Sequence, residues 1–244
     1  MGKIISFYGA DNKVGTTQIS QCCAEYIAQT NPDIEVLYIS GDGGHGSDYF
    51  ESVGETIDNI RPFLAQSLID IEDLKKKAKI EDNLYVLGGK NTPKTSDYFT
   101  PEMIELLLSS AKEKFDLIII DAGCRLEEGI SLGSLFSSDQ IYLVLNQTES
   151  SLRNFEWHVN LYSKLGIEFS KYLINKYDKD SAYELDYIYE RLLLSKPCIY
   201  TIKKHKYGLD AELFYTSLIH VKPNKLFIKD IDKISKGILK YARG

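Results

Sequence analysis

The sequence predicts a single α/β domain built on one doubly wound, mostly parallel β-sheet flanked by helices. Two observations carry this expectation. Short apolar, often β-branched runs alternate with longer helical patterns, which is the signature of successive βαβ units. The chain also opens on an apolar run, a loop of small and polar residues and then a helical pattern, the order that begins many such sheets. With 244 residues and 43% apolar content the chain can bury a large core. No linker or composition break divides residues 1–244, so one domain is expected.

The elements follow in order. Ile4 to Phe7 reads as the first strand and Ile19 to Ala28 as the first helix. Glu35 to Ile39 is the second strand, followed by the glycine-rich loop Ser40 to Gly46. A helical, partly acidic region runs to about Lys79, and Leu84 to Leu87 is a third strand. Thr100-Pro101-Glu102 supplies an N-cap and first turn for a helix through Lys114. Asp116 to Asp121 is the clearest buried strand: continuous, β-branched and closed by an acid. Ile141 to Asn146 is another strand, with a helix from Ser151 to Leu165 behind it. Tyr172 to Asn175 and Cys198 to Ile202 complete the sheet.

Composition narrows the function classes. No run approaches the ~18 apolar residues needed to span a bilayer, and no signal-peptide pattern opens the chain. Cys22, Cys23, Cys124 and Cys198 show no metal-ligand or CxxC spacing, which points to reduced thiols and a cytoplasmic setting. A net charge of −6 argues against a general nucleic-acid binder, and no specific nucleic acid is expected. The charge is uneven, however. Residues 200–244 carry ten Lys/Arg against four Asp/Glu, leaving −12 on the rest. From Lys225 to Arg243, Phe227, Ile231, Ile234, Ile238 and Tyr241 fall near one helical face with lysines elsewhere. Two readings fit that segment: a final helix packed on the sheet edge, or a basic amphipathic helix lying peripherally on an anionic membrane.

The chemistry concentrates in three loops at strand C-termini, where doubly wound sheets bind ligands. Tyr8 to Gln18 is a damaged phosphate loop between the first strand and first helix. Against the pattern G-x-x-x-x-G-K-[ST], Ala10 holds the first glycine position, Gly15 the second, Thr16 the lysine and Thr17 the hydroxyl. Backbone N–H groups over Asn12, Lys13, Val14, Gly15, Thr16, Thr17 and Gln18 are the candidate phosphate cradle. Asp42 follows the second strand, and Asp121 closes the strand that starts at Asp116. A hydroxyl such as Thr17 with acids such as Asp42 and Asp121 is a Mg²⁺-nucleotide arrangement, since Mg²⁺ takes hard oxygen ligands and keeps several waters. Thr17, Asp42 and Asp121 are therefore the candidate metal residues, and Asp42 and Asp121 the candidate catalytic ones.

In order and spacing these motifs resemble the MinD/ParA group of deviant Walker A P-loop ATPases, and within it the TadZ/CpaE proteins of Flp (tight-adherence) pilus assembly. Val14-Gly15-Thr16-Thr17 matches the end of the subgroup's KGGVGTT. Val36 to Asp42, with Gly46 and Asp48, is similar to its VLLIDLDLQFGD segment, and Phe115 to Asp121 to its YDYVVVDLP strand. Ser151 to Asn154 matches SLRN, and Ile174 to Asp178 resembles LNRYD. The resemblance runs from about residue 3 to residue 240 and implies a sheet of about seven or eight strands. It implies ATP or ADP with Mg²⁺ as ligands, Asn175 beside the adenine base, a homodimer, and partners among pilus or secretion-system components. With the first strand expected to begin at residue 3, no counterpart of the subgroup's N-terminal receiver-like domain is expected in this sequence.

The departures bear on catalysis. Asp11 stands where the resemblance places a signature lysine, Asn12 and Lys13 replace two loop glycines, and Ser40 replaces the first acid after the second strand. A lysine loses the close backbone approach that glycine permits, and an aspartate adds like charge beside a triphosphate. Lost charge stabilisation of this kind costs roughly 3–4 kcal/mol per group in the transition state. Three readings follow: a scaffold or localisation protein that binds nucleotide with weak or no hydrolysis, a slow but genuine MinD/ParA-type ATPase switch, or a nucleotide-free interaction module on a relic fold. Lys13 swinging inward to replace a lost lysine belongs to the second.

Overall fold

The computed structural model describes residues 1–41, 49–90, 98–194 and 198–244. Eight strands form one sheet in the order β3-β4-β2-β5-β1-β6-β7-β8, and every strand pair in it is parallel. The central strands are β1 (Lys3–Gly9), β2 (Val36–Ser40), β4 (Leu84–Gly88), β5 (Leu117–Asp121), β6 (Gln140–Asn146) and β7 (Lys171–Tyr177). The edges are the two-residue β3 (Glu55–Thr56) and β8 (Ile199–Lys203). Strands β2, β4 and β5 are buried throughout, β1 and β6 are buried except at their ends, and β7 only at residues 173–175. These mostly apolar runs are buried because helices cover both faces, as parallel sheets require.

Side-chain alternation sorts the core into two layers. Ile5, Phe7, Val36, Tyr38, Ile119 and Val144 face α1 (Thr16–Thr30) and α9 (Lys225–Ala242). On the opposite face, Ile4, Leu37, Ile39, Ile118 and Ile120 meet α2 (Ile57–Ala65), α3 (Ile71–Ala78), α4 (Pro101–Ala111) and α5 (Gly129–Ser137). The same face continues over β6 and β7 beneath α6 (Glu149–Lys164) and α7 (Leu185–Arg191). A short α8 (Gly208–Leu213) follows β8.

Each expected strand is present within a residue or two of its expected ends, and Thr100 caps α4 by accepting from the Met103 N–H. The single helical region before Lys79 resolves into β3, α2 and α3, divided by Ser67 in a left-handed conformation (φ 55°). The sequence reading has no counterpart for α5. Its glycines resemble loop signals, but Gly129 and Gly133 let the helix approach the Phe99 and Pro101 carbonyls, which a Cβ would meet at 1.9 and 2.5 Å. Helix α9 resolves the two readings of the closing segment. Phe227, Ile231, Ile234 and Ile238 are buried in the core beside α1, so the helix packs on the protein's own sheet and that stripe is withdrawn from any membrane. No described helix is long and apolar enough to cross a membrane.

Candidate functional site

Strand order reverses about β1. The chain builds β2, β4 and β5 on one side of it and then crosses to β6, β7 and β8 on the other. The crevice at the C-terminal end of β1 is thus the switch point at which such sheets hold ligands. Three segments meet there. Gly9 N–H donates to the Gly123 carbonyl (2.8 Å), Ala10 N–H to Val144 (2.9 Å), and Ala122 N–H to Phe7 (2.8 Å). Phe7 and Ser40 are both register partners of Asp121.

The loop from Ala10 to Gly15 delivers the chain into α1. Gly15 is the N-cap residue, left-handed at φ 97°, with no side chain to satisfy the free N–H groups of the first turn and no acid in that turn. Those unpaired donors and the positive end of a 15-residue helix form an anion-binding terminus. The cradle is tightly fitted: a Cβ on Gly15 would stand 2.4 Å from the Asn175 side-chain nitrogen. Lys13 adopts the left-handed conformation (φ 58°) that glycine would take without cost. Thr16 is buried, and its hydroxyl lies 2.6 Å from where a Cβ on Gly9 would be, so it is turned toward the end of β1. Thr17 is half-buried and Gln18 buried in the first turn of the same helix.

Tethers from distant elements set the shape of this loop. Asn175 donates from its amide to the Val14 carbonyl (2.7 Å). Lys176, itself at φ 52°, donates from Nζ to the Lys13 carbonyl (2.8 Å). Burial and the neighbouring Lys204 push the Lys176 ammonium below the ordinary lysine range. Asp11 accepts from the Asn12 N–H (2.7 Å), the Asn154 amide (3.3 Å) and the Ser150 hydroxyl. Its carboxylate therefore lies against the N-terminal turns of α6, where the helix dipole favours negative charge. Cys124 Sγ donates to Asn12 Oδ1 (3.1 Å), tying the loop to the segment after β5. In turn α6 is clamped to α7: Arg191 bonds Glu149 and Glu156 at 2.7 Å each, holding the Glu149 carboxyl down at about 2.

The structure thus brings Asn12 to Gln18, Asn175 and Asp121 to one end of the sheet. Asp121 is fully buried, and its Oδ1 accepts from the Gly123 N–H (3.0 Å). Asp42, with Gly46 and Asp48, lies outside the described residues. The Ser40 hydroxyl beside Asp121 is buried with no hydrogen-bond partner among the described residues. An anion-binding helix end, two threonines and an adjacent strand-end acid with an orphaned hydroxyl suit a phosphate group with a hydrated divalent cation. The sequence reading did not assign Ser150, Asn154, Lys176 or Cys124 to the loop. Asn154 and Lys176 lay inside matched segments, whereas nothing in the sequence singles out Ser150.

No family model and no curated protein matches the chain. Solved structures do share its fold. A ParA family ATPase from Chlorobium tepidum superposes with a TM-score of 0.82 at 20% identity, covering 96% of this chain and 97% of that one. The septum site-determining protein MinD from Pyrococcus horikoshii, complexed with Mg-ADP, gives 0.73 at 20% identity over 96% of each chain. A plasmid partition protein of Borrelia burgdorferi bound to AMPPNP gives 0.73 at 17% identity, over 99% of this chain and 100% of that one. The fold is that of the ParA and MinD ATPases.

Proposed function

We propose that this chain binds ATP or ADP with Mg²⁺ at the end of β1 and hydrolyses it weakly or not at all. In this reading it serves as a dimeric scaffold or localisation protein of the TadZ/CpaE kind in pilus or secretion-system assembly. The observation that carries the proposal is the placement of Asp11. At the position of a charge-neutralising lysine, a carboxylate is held against α6 by Ser150 and Asn154 of its own chain. Nucleotides in the MinD and partition-protein structures of the same fold support the choice of ligand.

The N–H groups from Val14 to Gln18 would hold the phosphates, and Thr17 would ligate Mg²⁺, with Asp42 and Asp121 acting through water. Bound Mg²⁺ would neutralise phosphate charge that this loop, lacking both lysines, does not. Asn175 would approach the base from its place under Val14. A slow ATPase is the second reading, favoured by Lys176, whose ammonium already rests on the loop.

Calorimetric titration with ATP and ADP, with and without Mg²⁺, alongside a turnover assay separates the readings. Mg²⁺-dependent binding with turnover near the detection limit is expected. Turnover lost on Asp121→Ala selects the ATPase switch, and absence of binding selects the nucleotide-free module.

A further inference from the structure

The excess of lysine after residue 200 has a location in the fold that the nucleotide site does not use. A groove of about 710 Å³ opens between the end of β8 and the start of α9. Its floor includes Phe227 and the 60%-exposed Leu226, and Lys203, Lys204, Lys206, Lys222 and Lys225 surround it. All five lysines are exposed, and none has a carboxylate partner among the described residues. The first turn of α9 adds to the positive potential, since it contains no acid and Asn224 makes no side-chain cap.

We propose that this groove is a docking site for an acidic, amphipathic segment of a partner protein, with large apolar side chains on the floor and carboxylates against the lysines. Charge complementarity argues for the carboxylates: five lysines without a carboxylate partner among the described residues repel one another until an anionic partner enters. The apolar floor argues against duplex nucleic acid, whose phosphates would meet Leu226 and Phe227. Concavity argues against a bilayer, which a protruding apolar face would engage better. The exposed apolar surface also continues along the chain. His205 meets Phe227 edge-on at 5.7 Å and Tyr207 at a tilt at 5.6 Å, and Tyr207 leads into α8, where Leu209, Leu213 and the following Phe214 are 68–81% exposed. A surface of that extent suits a chain segment better than a small ligand.

The test is selection of random twelve-residue displayed peptides on the full chain, followed by titration of the synthesised winners. Peptides combining two or more carboxylates with Leu, Phe, Trp or Tyr are expected. Their affinity should fall at least tenfold for Lys222→Glu with Lys225→Glu, for Leu226→Ser, and for peptides whose carboxylates are replaced by amides. All three substituted positions are exposed, so unchanged thermal melting confirms that the variants fold. Winners insensitive to both variants, or no winners at all, overturn the proposal. So does groove-dependent binding of phosphatidylserine vesicles or duplex DNA in place of peptide, because the occupant is then of another class.

Discussion

The Asn175 amide donates to the Val14 carbonyl at 2.7 Å, and its nitrogen lies 2.4 Å from where a Cβ on Gly15 would stand. The last strand before the sheet edge therefore supports the loop that leads into α1 from beneath, and glycine at 15 is required twice over. Its φ of 97° disfavours any L side chain, and the space for one is already filled. Gly15→Ala should combine about 1–2 kcal/mol of left-handed strain with the loss of a buried hydrogen bond, roughly 1 kcal/mol more. A melting temperature lower by about 5 °C is expected in a thermal scan. Asn175→Ala in the same chain should recover part of that loss, because it removes the clash but not the strain.

Mg²⁺-nucleotide binding is expected to depend on Thr17, the half-buried hydroxyl that follows the buried Thr16 in the first turn of α1. Thr17→Ala should weaken Mg²⁺-ATP binding at least several-fold in a calorimetric titration while leaving Mg²⁺-free ADP binding less affected. An unchanged dissociation constant would place the metal elsewhere.

Helix α1 also carries a buried acid with a pH-dependent partner. Glu25, 5% exposed, accepts from Ser217 (2.5 Å) and Gln21 (2.5 Å) and contacts His220 Nε2 at 2.9 Å. That contact raises the His220 imidazole above its ordinary value of 6.5, against the opposing effect of its partial burial. A group whose folded pKa is raised stabilises most below its unfolded pKa, and loses that contribution as pH climbs through the folded value. The melting-temperature advantage of wild type over His220→Gln should therefore be largest near pH 5.5 and shrink by pH 8.5. An advantage constant across that range would show that protonation contributes nothing to the contact.

What was legible in the sequence follows from how locally each feature is encoded. Strands β1, β2, β4, β5 and β6 are almost continuously buried runs, so their composition reveals them without knowledge of their neighbours. The loop from Ala10 to Gly15 is legible because it joins such a strand to a helical pattern. Helix α5 was not, since its glycines serve close packing against α4, a contact that exists only once both helices are placed. The anchoring of Asp11 is further still from local encoding, because Ser150 and Asn154 lie 139 and 143 residues away. The sequence marks Asp11 as the wrong residue for catalysis but not as an anchor. The basic excess after residue 200 was likewise countable, whereas its gathering around one groove depends on β8 and α9 meeting.

That anchoring shapes the expected outcome of restoring the lysines. Thr16→Lys alone should leave turnover near the detection limit, because position 11 would still present a carboxylate where the second lysine is needed. Asp11→Lys alone should be destabilising. It removes the bonds to Ser150 and Asn154 and sets a cation against the N-terminal end of α6, for a combined cost of about 1–3 kcal/mol. Any recovery of turnover is expected only in the double variant, and at reduced melting temperature. A steady-state phosphate-release assay on wild type, both single variants and the double variant, read beside their melting curves, checks the whole pattern. Robust wild-type turnover that disappears on Lys13→Ala would contradict it. Lys13 would then be a relocated catalytic lysine, and the anchored Asp11 would not prevent hydrolysis.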